Sequence, residues 1–125
     1  MNYRNAVLLI MLVIIDWVAK RVFGSVVNTG GVFGMFHGWN SFFIVFSIIV
    51  ICGIVYFLHK GKYIFELVLI LAGVIGNLID RVFYLGVVDF IDVGFWPVFN
   101  LADVFIFFGA VLLLRKVFKL GESKK

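Results

Sequence analysis

The chain has 125 residues, of which 64% are hydrophobic and 14% are charged, and its mean hydropathy is +1.17. Soluble domains carry about 25% charged residues, and a water-soluble fold of this length cannot bury so much apolar surface. The composition therefore excludes an ordinary soluble domain and predicts a single integral membrane domain over residues 1–125. A basic surface for nucleic acid is a competing explanation of the +4 net charge, but the basic residues flank apolar segments, so we expect no nucleic-acid partner.

Four apolar segments follow one another along the chain, at residues 3–23, 41–58, 63–83 and 99–118. Each approaches the length of about 20 residues that a helix needs to cross a bilayer. The first begins with a basic residue, as a signal peptide does, but no small-residue cleavage site follows, and we interpret it as a retained span. The pattern predicts an all-α membrane protein with four transmembrane helices.

The basic residues are distributed unevenly about these spans. Four spans place both termini and the turn at residues 59–62 on one side of the membrane. That side carries Arg4, Lys60, Lys62, Arg115, Lys116, Lys119, Lys124 and Lys125, and the other side carries Lys20, Arg21 and Arg81. By the positive-inside rule the first side is cytoplasmic. Nearly all unusual polar residues then lie at the outer level of the membrane, except Glu66, which we expect to pair with Lys62 near the cytoplasmic surface.

Two of the spans carry polar residues at helical spacing. Asp16 and Lys20 are four residues apart, so they can pair along one helix face, and a structural anchor is the favoured interpretation. Asn77, Asp80 and Arg81 share a face of the third span. The two charged residues can neutralise neighbours, whereas Asn77 and the planar Arg81 fork can hold a peptide backbone.

Asp89 and Asp103 lie near the outer end of the predicted bundle. Asn100 can cap the fourth span, which places Asp103 at the third helical position, where a carboxylate is favoured. Asp89 follows two valines in a segment that is predicted to be extended. Two carboxylates that share one proton can activate water and protonate a leaving group. A cation site or a proton relay would use the same residues, so spacing alone leaves these alternatives open.

No pattern in the sequence predicts a metal or an organic cofactor. His37 and His59 fall on opposite sides of the membrane in the predicted topology, so they cannot share a metal site. Cys52 is the single cysteine and lies in an apolar run, where it is expected to be a small packing residue.

Five short motifs carry a resemblance to a known family. They are DWVAK at 16–20, NTGGVF at 28–33, GNLIDR at 76–81, VVDF at 87–90 and FNLAD at 99–103. In these motifs and in their order, the chain resembles bacterial lipoprotein signal peptidase, also called signal peptidase II. The second motif departs from the family pattern, since Gly31 and Val32 stand where two alanines are usual.

The resemblance implies an intramembrane aspartyl endopeptidase. Members of this family remove the signal peptide from prolipoproteins by cleaving before a diacylglyceryl-modified cysteine, without a metal or other cofactor. The implied fold has four transmembrane helices, a small extracytoplasmic β-cradle and a short outer helical segment. The implied partners are prolipoprotein substrates and membrane lipids, and we expect a monomer. The implied location is the bacterial cytoplasmic (inner) membrane, with the active site near the outer leaflet.

The motif positions also imply residue roles. The catalytic aspartates would be Asp89 and Asp103, with the acid and base roles not assigned between them. The expected substrate contacts are Asn28, Gly30, Asn77, Arg81 and Asn100, and the expected supporting residues are Asp16, Lys20 and Asp80. Asp92 belongs to no motif and is expected to be a solvated loop carboxylate. The connection between the two aspartates is short for the family, so the outer helical segment is expected to be trimmed.

Two other functional classes use some of the same features. A small cation- or proton-conducting protein would also place acids in the membrane, but it needs polar residues along its whole pathway, and the cytoplasmic half of the spans offers little besides Glu66. A non-enzymatic scaffold needs no pair of intramembrane aspartates. The sequence therefore favours the peptidase.

Overall fold

The computed structural model describes residues 1–30 and 38–122 and contains four helices and two short strands within them. The predicted features at Gly31, Val32 and His37 lie outside the described residues. In chain order the elements are α1 (Tyr3–Phe23), β1 (Val26–Asn28), α2 (Asn40–His59), α3 (Ile64–Tyr84), β2 (Val87–Asp89) and α4 (Leu101–Glu122). The helices therefore occupy the four predicted apolar segments to within a few residues.

Two of the described helices, α2 and α3, are long and apolar enough to cross a membrane, judged by length and composition. The other two are of similar length but carry more charged residues. Large apolar side chains are exposed along the outward faces of the bundle, including Phe46 and Ile49 of α2. Such a surface is expected where a protein meets lipid or a partner rather than water.

Helix α3 lies at the centre of the bundle and packs against each of the other three helices. The core forms where Ile54 and Leu58 of α2 meet Leu67, Val68 and Leu71 of α3. Burial of each such side chain stabilises the packed state only modestly in lipid, so close packing between helices matters more.

The contact between α3 and α4 is close because small residues lie in it. A Cβ atom at Gly73 would fall 2.3 Å from the Ala102 carbonyl oxygen, and one at Gly109 would fall 2.9 Å from the Glu66 carbonyl oxygen. Ala72 is fully buried. The small residues thus let the two backbones approach.

The two strands form an antiparallel pair at one end of the bundle. Val26 lies opposite Asp89, and Asn28 lies opposite Val87. This confirms the extended conformation predicted at Asp89 and supplies a small sheet. An isolated bridge joins Ile91 to Phe99. No helix occurs between β2 and α4, in agreement with the short connection there.

Candidate active site

A polar cavity of about 330 Å³ opens beside the two-stranded sheet. It lies between β2, α3 and the start of α4. Its lining residues are Asn28, Asn77, Arg81, Val87, Asp89, Trp96, Pro97, Val98, Phe99 and Asp103. The cavity therefore brings together both predicted catalytic aspartates and three of the predicted substrate contacts from four separate parts of the chain.

The start of α4 fixes the position of Asp103. The Asp103 backbone N–H donates to Asn100 Oδ1 at 2.9 Å, and the Asn100 backbone N–H donates to Asp103 Oδ2 at 3.2 Å. This reciprocal arrangement is a capping box, with Asp103 at the third helical position. The predicted cap at Asn100 is therefore confirmed. The bonds that begin the helix also hold Asp103 in the wall of the cavity.

Asp89 is 3% exposed at the end of β2. Burial and the nearby Asp103 charge raise the pKa of its carboxyl group from 3.8 to about 7. Hydrogen bonds from Asn100 and Asn28 and the charge of Lys20 act in the opposite direction. Desolvation outweighs them because an ionised carboxylate loses most of its hydration here. Asp89 is thus partly protonated near neutral pH, where an ordinary aspartate is fully ionised.

Two amide side chains connect the aspartates. Asn100 Nδ2 lies 2.8 Å from Asp89 Oδ1 and 3.0 Å from Asn77 Oδ1. Asn77 Nδ2 in turn donates to Asp103 Oδ1 at 2.9 Å. Asn100 is fully buried and contacts the site without lining its cavity. The two amides therefore fix the relative orientation of the two carboxyl groups.

A buried ion cluster supports both aspartates. Lys20 Nζ lies 2.7 Å from Asp16 Oδ2 and 2.8 Å from Asp80 Oδ2. Asp16 Oδ1 accepts a hydrogen bond from the Ala102 backbone N–H at 2.8 Å, and Asp80 Oδ2 accepts one from the Val88 backbone N–H at 3.1 Å.

Each of these carboxylates binds the backbone N–H of the residue immediately before a candidate catalytic aspartate. One lysine ammonium joins the two carboxylates, so it links the end of β2 to the start of α4. The predicted pair of Asp16 with Lys20 is confirmed, and Asp80 pairs with the same lysine. The supporting residues thus position backbone and do not line the polar cavity.

Arg81 is held by two residues of α2. Its Nη1 donates to Asn40 Oδ1 at 3.3 Å, while Asn40 Nδ2 donates to the Arg81 carbonyl oxygen at 3.1 Å. The guanidinium carbon lies 4.5 Å from the centroid of the Phe43 ring. Sequence reasoning missed Asn40 and Phe43. The sequence offered one indication for Asn40, because it is a polar residue at the start of an otherwise apolar helix.

Of the two predicted substrate contacts after β1 begins, Asn28 lines the polar cavity and Gly30 does not. Asn28 lines the cavity, and its Oδ1 accepts a hydrogen bond from the Gly30 backbone N–H at 3.0 Å. Gly30 is buried and does not line the cavity. Through this local turn Gly30 fixes the Asn28 side chain.

An apolar cavity of about 420 Å³ adjoins the polar one and shares Trp96, Phe99 and Asp103 with it. Its other lining residues are Val93, Phe95, Val104, Phe107 and Phe108. The site is therefore divided into a polar part that contains both aspartates and a hydrocarbon-like part that begins beside Asp103.

Two acidic residues lie away from these cavities. Asp92 is exposed, and its Oδ1 accepts a hydrogen bond from the Gly94 backbone N–H at 2.9 Å, which agrees with a loop carboxylate. The predicted pairing of Glu66 with Lys62 is wrong, since Glu66 Oε1 lies 2.5 Å from Lys116 Nζ. Tyr63 has a left-handed backbone with φ of 56°, so Lys62 does not continue the helix below Glu66.

Comparison with protein families and curated proteins gives one consistent result. The profile of a family described as signal peptidase (SPase) II matches residues 14–119. A lipoprotein signal peptidase of Caldicellulosiruptor bescii is 46% identical over 100 residues, which cover 78% of this chain and 67% of the relative. One of Syntrophomonas wolfei is 41% identical over 102 residues, which cover 78% and 68% of the two chains.

Solved structures show the same likeness over a larger share of the chain. A bacterial membrane enzyme determined by the in meso method at 2.3 Å resolution superposes with a TM-score of 0.89 and 29% identity. The match covers 98% of this chain and 92% of that one. The arrangement of the helices and sheet is therefore similar to that of a known membrane enzyme.

Proposed function

Because this chain belongs to the signal peptidase II family, we propose that it removes signal peptides from prolipoproteins by cleaving before a diacylglyceryl-modified cysteine. Family membership makes it a peptidase of a bacterial membrane. The proposal adds the aspartyl mechanism, the lipidated substrate and the residues that act on it. The observation that carries the mechanism is that Asp89 and Asp103 line the same polar cavity.

The two carboxyl groups have different surroundings, which suggests different roles. Asp89, with a pKa raised to about 7 by burial, supplies the proton. Asp103 accepts hydrogen bonds on both oxygens, as a carboxylate base does, and removes a proton from water. A pair of acids in unlike environments is the arrangement from which acid and base roles arise.

The reaction then proceeds in two steps, each with two proton transfers. The water oxygen attacks the peptide carbonyl carbon while Asp103 takes a water proton and Asp89 protonates the carbonyl oxygen. Asp103 next gives its proton to the amide nitrogen, and Asp89 recovers its proton from a hydroxyl of the tetrahedral intermediate. The C–N bond breaks, so the lipidated cysteine leaves with a free amine and both aspartates return to their starting states.

The surrounding residues suit an extended peptide that carries a lipid. Asn28 and Arg81 line the polar cavity and offer N–H donors to peptide carbonyls. The adjoining apolar cavity offers a place for acyl chains. The lipid then acts by holding the scissile bond at the depth of the aspartates, which raises its local concentration in the right orientation.

We further propose that the chain is a monomer with one domain over residues 1–125 and that all four helices cross the membrane. Both termini are cytoplasmic, and the cavity lies near the outer leaflet. The charge asymmetry of the sequence supports this orientation. An exposed turn at Lys60 and an exposed loop at Asp92 lie at opposite ends of the bundle and provide sites to test it.

Impermeant thiol labelling of intact cells tests the topology. In a Cys52→Ser background, Asp92→Cys is expected to be labelled from outside and Lys60→Cys only after the cells are lysed. Labelling of Lys60→Cys in intact cells would reject the orientation.

The function is tested with matched precursors, one carrying the diacylglyceryl group and the other unmodified, in the same nanodiscs. We expect cleavage of the modified precursor only, at the bond before the cysteine. Equal cleavage of both would reject the positioning role of the lipid and indicate a general signal peptidase. Cleavage of neither would reject the proposed substrate class.

A further inference from the structure

Arg21, in the last turn of α1, has an exposed guanidinium that the candidate active site does not use. The two other basic residues at this end, Lys20 and Arg81, are buried and bonded to residues of the site. Within residues 1–30 and 38–122, the Arg21 guanidinium has no ion pair or hydrogen bond. Residues 31–37 contain no acidic residue. Its charge and its N–H donors are therefore available to a ligand.

Two aromatic rings hold the Arg21 guanidinium in place. Its central carbon lies 5.0 Å from the Trp17 ring centroid and 5.1 Å from the Tyr84 ring centroid. Cation–π contacts of this kind each contribute about 0.5–1 kcal/mol at exposed positions. The side chain is thus ordered before any ligand arrives. A guanidinium also carries five N–H donors, and none of them is in a hydrogen bond to the described residues.

A third cavity, of about 270 Å³, lies beside this guanidinium. Its lining residues are Trp17, Lys20, Arg21, Val27, Asp80, Tyr84 and Val88. It shares no residue with the polar cavity. Val88 and Asp80 belong to the hydrogen bond that holds β2, so this cavity adjoins the support of Asp89 from another side.

The surroundings of Arg21 restrict the ligand. Val22 and Phe23 are 65% and 64% exposed, and Phe83, next to Tyr84 in the chain, is 74% exposed, so exposed apolar side chains lie at the same end of the bundle as the cation. An anion that carries hydrocarbon matches both features. Lys20 and Asp80 also line the cavity and neutralise each other as an ion pair, so Arg21 supplies one net positive charge, which matches a singly charged phosphodiester better than a dianion such as free phosphate.

We propose that Arg21, between Trp17 and Tyr84, binds the phosphodiester group of a membrane phospholipid. The acyl chains of that lipid lie along the exposed apolar side chains at the end of α1 and α3. This inference rests on the proposed membrane placement, and it concerns a site separate from that of the substrate.

The test measures lipid retention rather than cleavage. Delipidated chain in detergent is titrated with phosphatidylglycerol, and the fraction that retains one lipid is measured by native mass spectrometry. We expect Arg21→Gln to lower this fraction at least threefold at subsaturating lipid. Arg4→Gln, which removes a charge from the other end of α1, is the matched control and is expected to retain lipid as the unaltered chain does.

Further variants separate the proposal from a general charge effect. Tyr84→Leu keeps the charge but removes one ring, and Arg21→Lys keeps the charge but lacks the planar fork, so both are expected to retain lipid at an intermediate level. Equal retention by Arg21→Gln and the unaltered chain would overturn the proposal. Inorganic phosphate that displaces the lipid at equal concentration would overturn the assignment to a phospholipid.

Cleavage by the same preparations distinguishes the two proposals. Arg21-dependent retention in a chain that cleaves no lipidated precursor would leave the lipid site standing and reject the peptidase. Cleavage without Arg21-dependent retention would reject the lipid site and leave the peptidase standing. Thermal unfolding of each variant shows whether a lost lipid reflects a lost fold.

Discussion

Buried carboxylates occur at both ends of the bundle, and their surroundings differ. At the sheet end, Asp16 and Asp80 share the ammonium of Lys20, and each also accepts a backbone N–H. At the other end, Glu66 has one ion-pair partner, Lys116, whose side chain is 56% exposed. The second oxygen of Glu66 is buried without a hydrogen-bond partner among the described residues.

The two sets of ion pairs have different structural effects. The one around Lys20 positions the backbone of the candidate site, and the one at Glu66 cross-links two helices. A charge within a bilayer costs about 2.5–3.5 kcal/mol on insertion scales, so neither cluster is retained without a compensating interaction. The cluster around Lys20 holds a backbone N–H of β2 and one in the first turn of α4. The pair of Glu66 and Lys116 joins α3 to α4 and fixes no backbone of the cavity. Substitutions at the sheet end should therefore lower both stability and cleavage, whereas substitutions at the Glu66 end should lower stability alone and by less.

The largest effect is expected at the aspartates themselves. Asp89→Asn and Asp103→Asn each remove one member of the acid–base pair, and we expect each to lower the cleavage rate by about 10²–10⁴-fold or more. The amide oxygen of Asn at position 103 can still accept the capping bond, so the helix should be retained. Rates are measured with lipidated precursor under single-turnover conditions.

Asp92→Asn is the matched control for these variants, because Asp92 lies in the same connection but is exposed. It should cleave at nearly the rate of the unaltered chain. A severe loss there, or near-normal cleavage by either of the other two variants, would show that the pair has been assigned wrongly.

The next effect is expected at the ammonium that joins the supporting carboxylates. Lys20→Met leaves two buried carboxylates without their cation, and removal of one partner from a buried pair typically costs about 3–5 kcal/mol. Because the cluster holds β2 and α4, cleavage should fall together with the thermal midpoint.

Lys116→Met is the comparison for Lys20→Met. It removes a half-exposed partner, so we expect a smaller drop in the thermal midpoint. The cleavage rate per folded molecule should be nearly unchanged. Equal losses of activity per folded molecule in the two variants would remove the distinction between the two ends.

A smaller and more specific effect is expected in the dependence on pH. Because Asp89 has its pKa raised to about 7, it is protonated below that value, and cleavage should decline as the pH rises through about 7. Asn100→Ser keeps a capping oxygen but removes the amide that favours ionised Asp89. The decline should therefore move to higher pH, as measured by kcat/KM profiles. A midpoint that moves down would contradict the acid role of Asp89.

The smallest effect is expected for Glu66→Gln. The change replaces a buried charge by a neutral amide of similar size and leaves only the half-exposed Lys116 without its partner, so no buried charge is left uncompensated. We expect a midpoint within a few degrees of the unaltered chain and full cleavage activity. Asp16→Asn, the equivalent change at the other end, should lower both the thermal midpoint and the cleavage rate by more.

Much of this arrangement follows from local sequence. The helices follow from apolar segments of about 20 residues, although three of the four also carry charged residues, and the capping box follows from the three-residue spacing of Asn100 and Asp103. Short-range rules suffice there because the interacting groups are neighbours in the chain. The pairing of Asp16 with Lys20 is predictable for the same reason.

Other contacts have no local signal. The bond between Asn40 and Arg81 spans 41 residues, and the partners of Asp16 and Asp80 include backbone N–H groups, which every residue except proline offers. The partner of Glu66 depends on the backbone at Tyr63, where a left-handed residue separates Lys62 from the helix. These contacts follow from how the helices pack, which a single sequence does not determine.

The bond from the Ala102 backbone N–H to Asp16 joins residues that are 86 positions apart. At roughly 5–20 residues per second of synthesis, Ala102 is made about 4–17 s after Asp16. During that interval the i, i+4 pairing with Lys20 is the only partner that α1 itself can supply to its buried carboxylate. In the proposed topology the first helix therefore enters the membrane with its own counter-ion, and the last helix to be made completes the bonds that orient the candidate site. Any chain that is released before α4 has packed should therefore keep a first helix whose Asp16 lacks the Ala102 N–H.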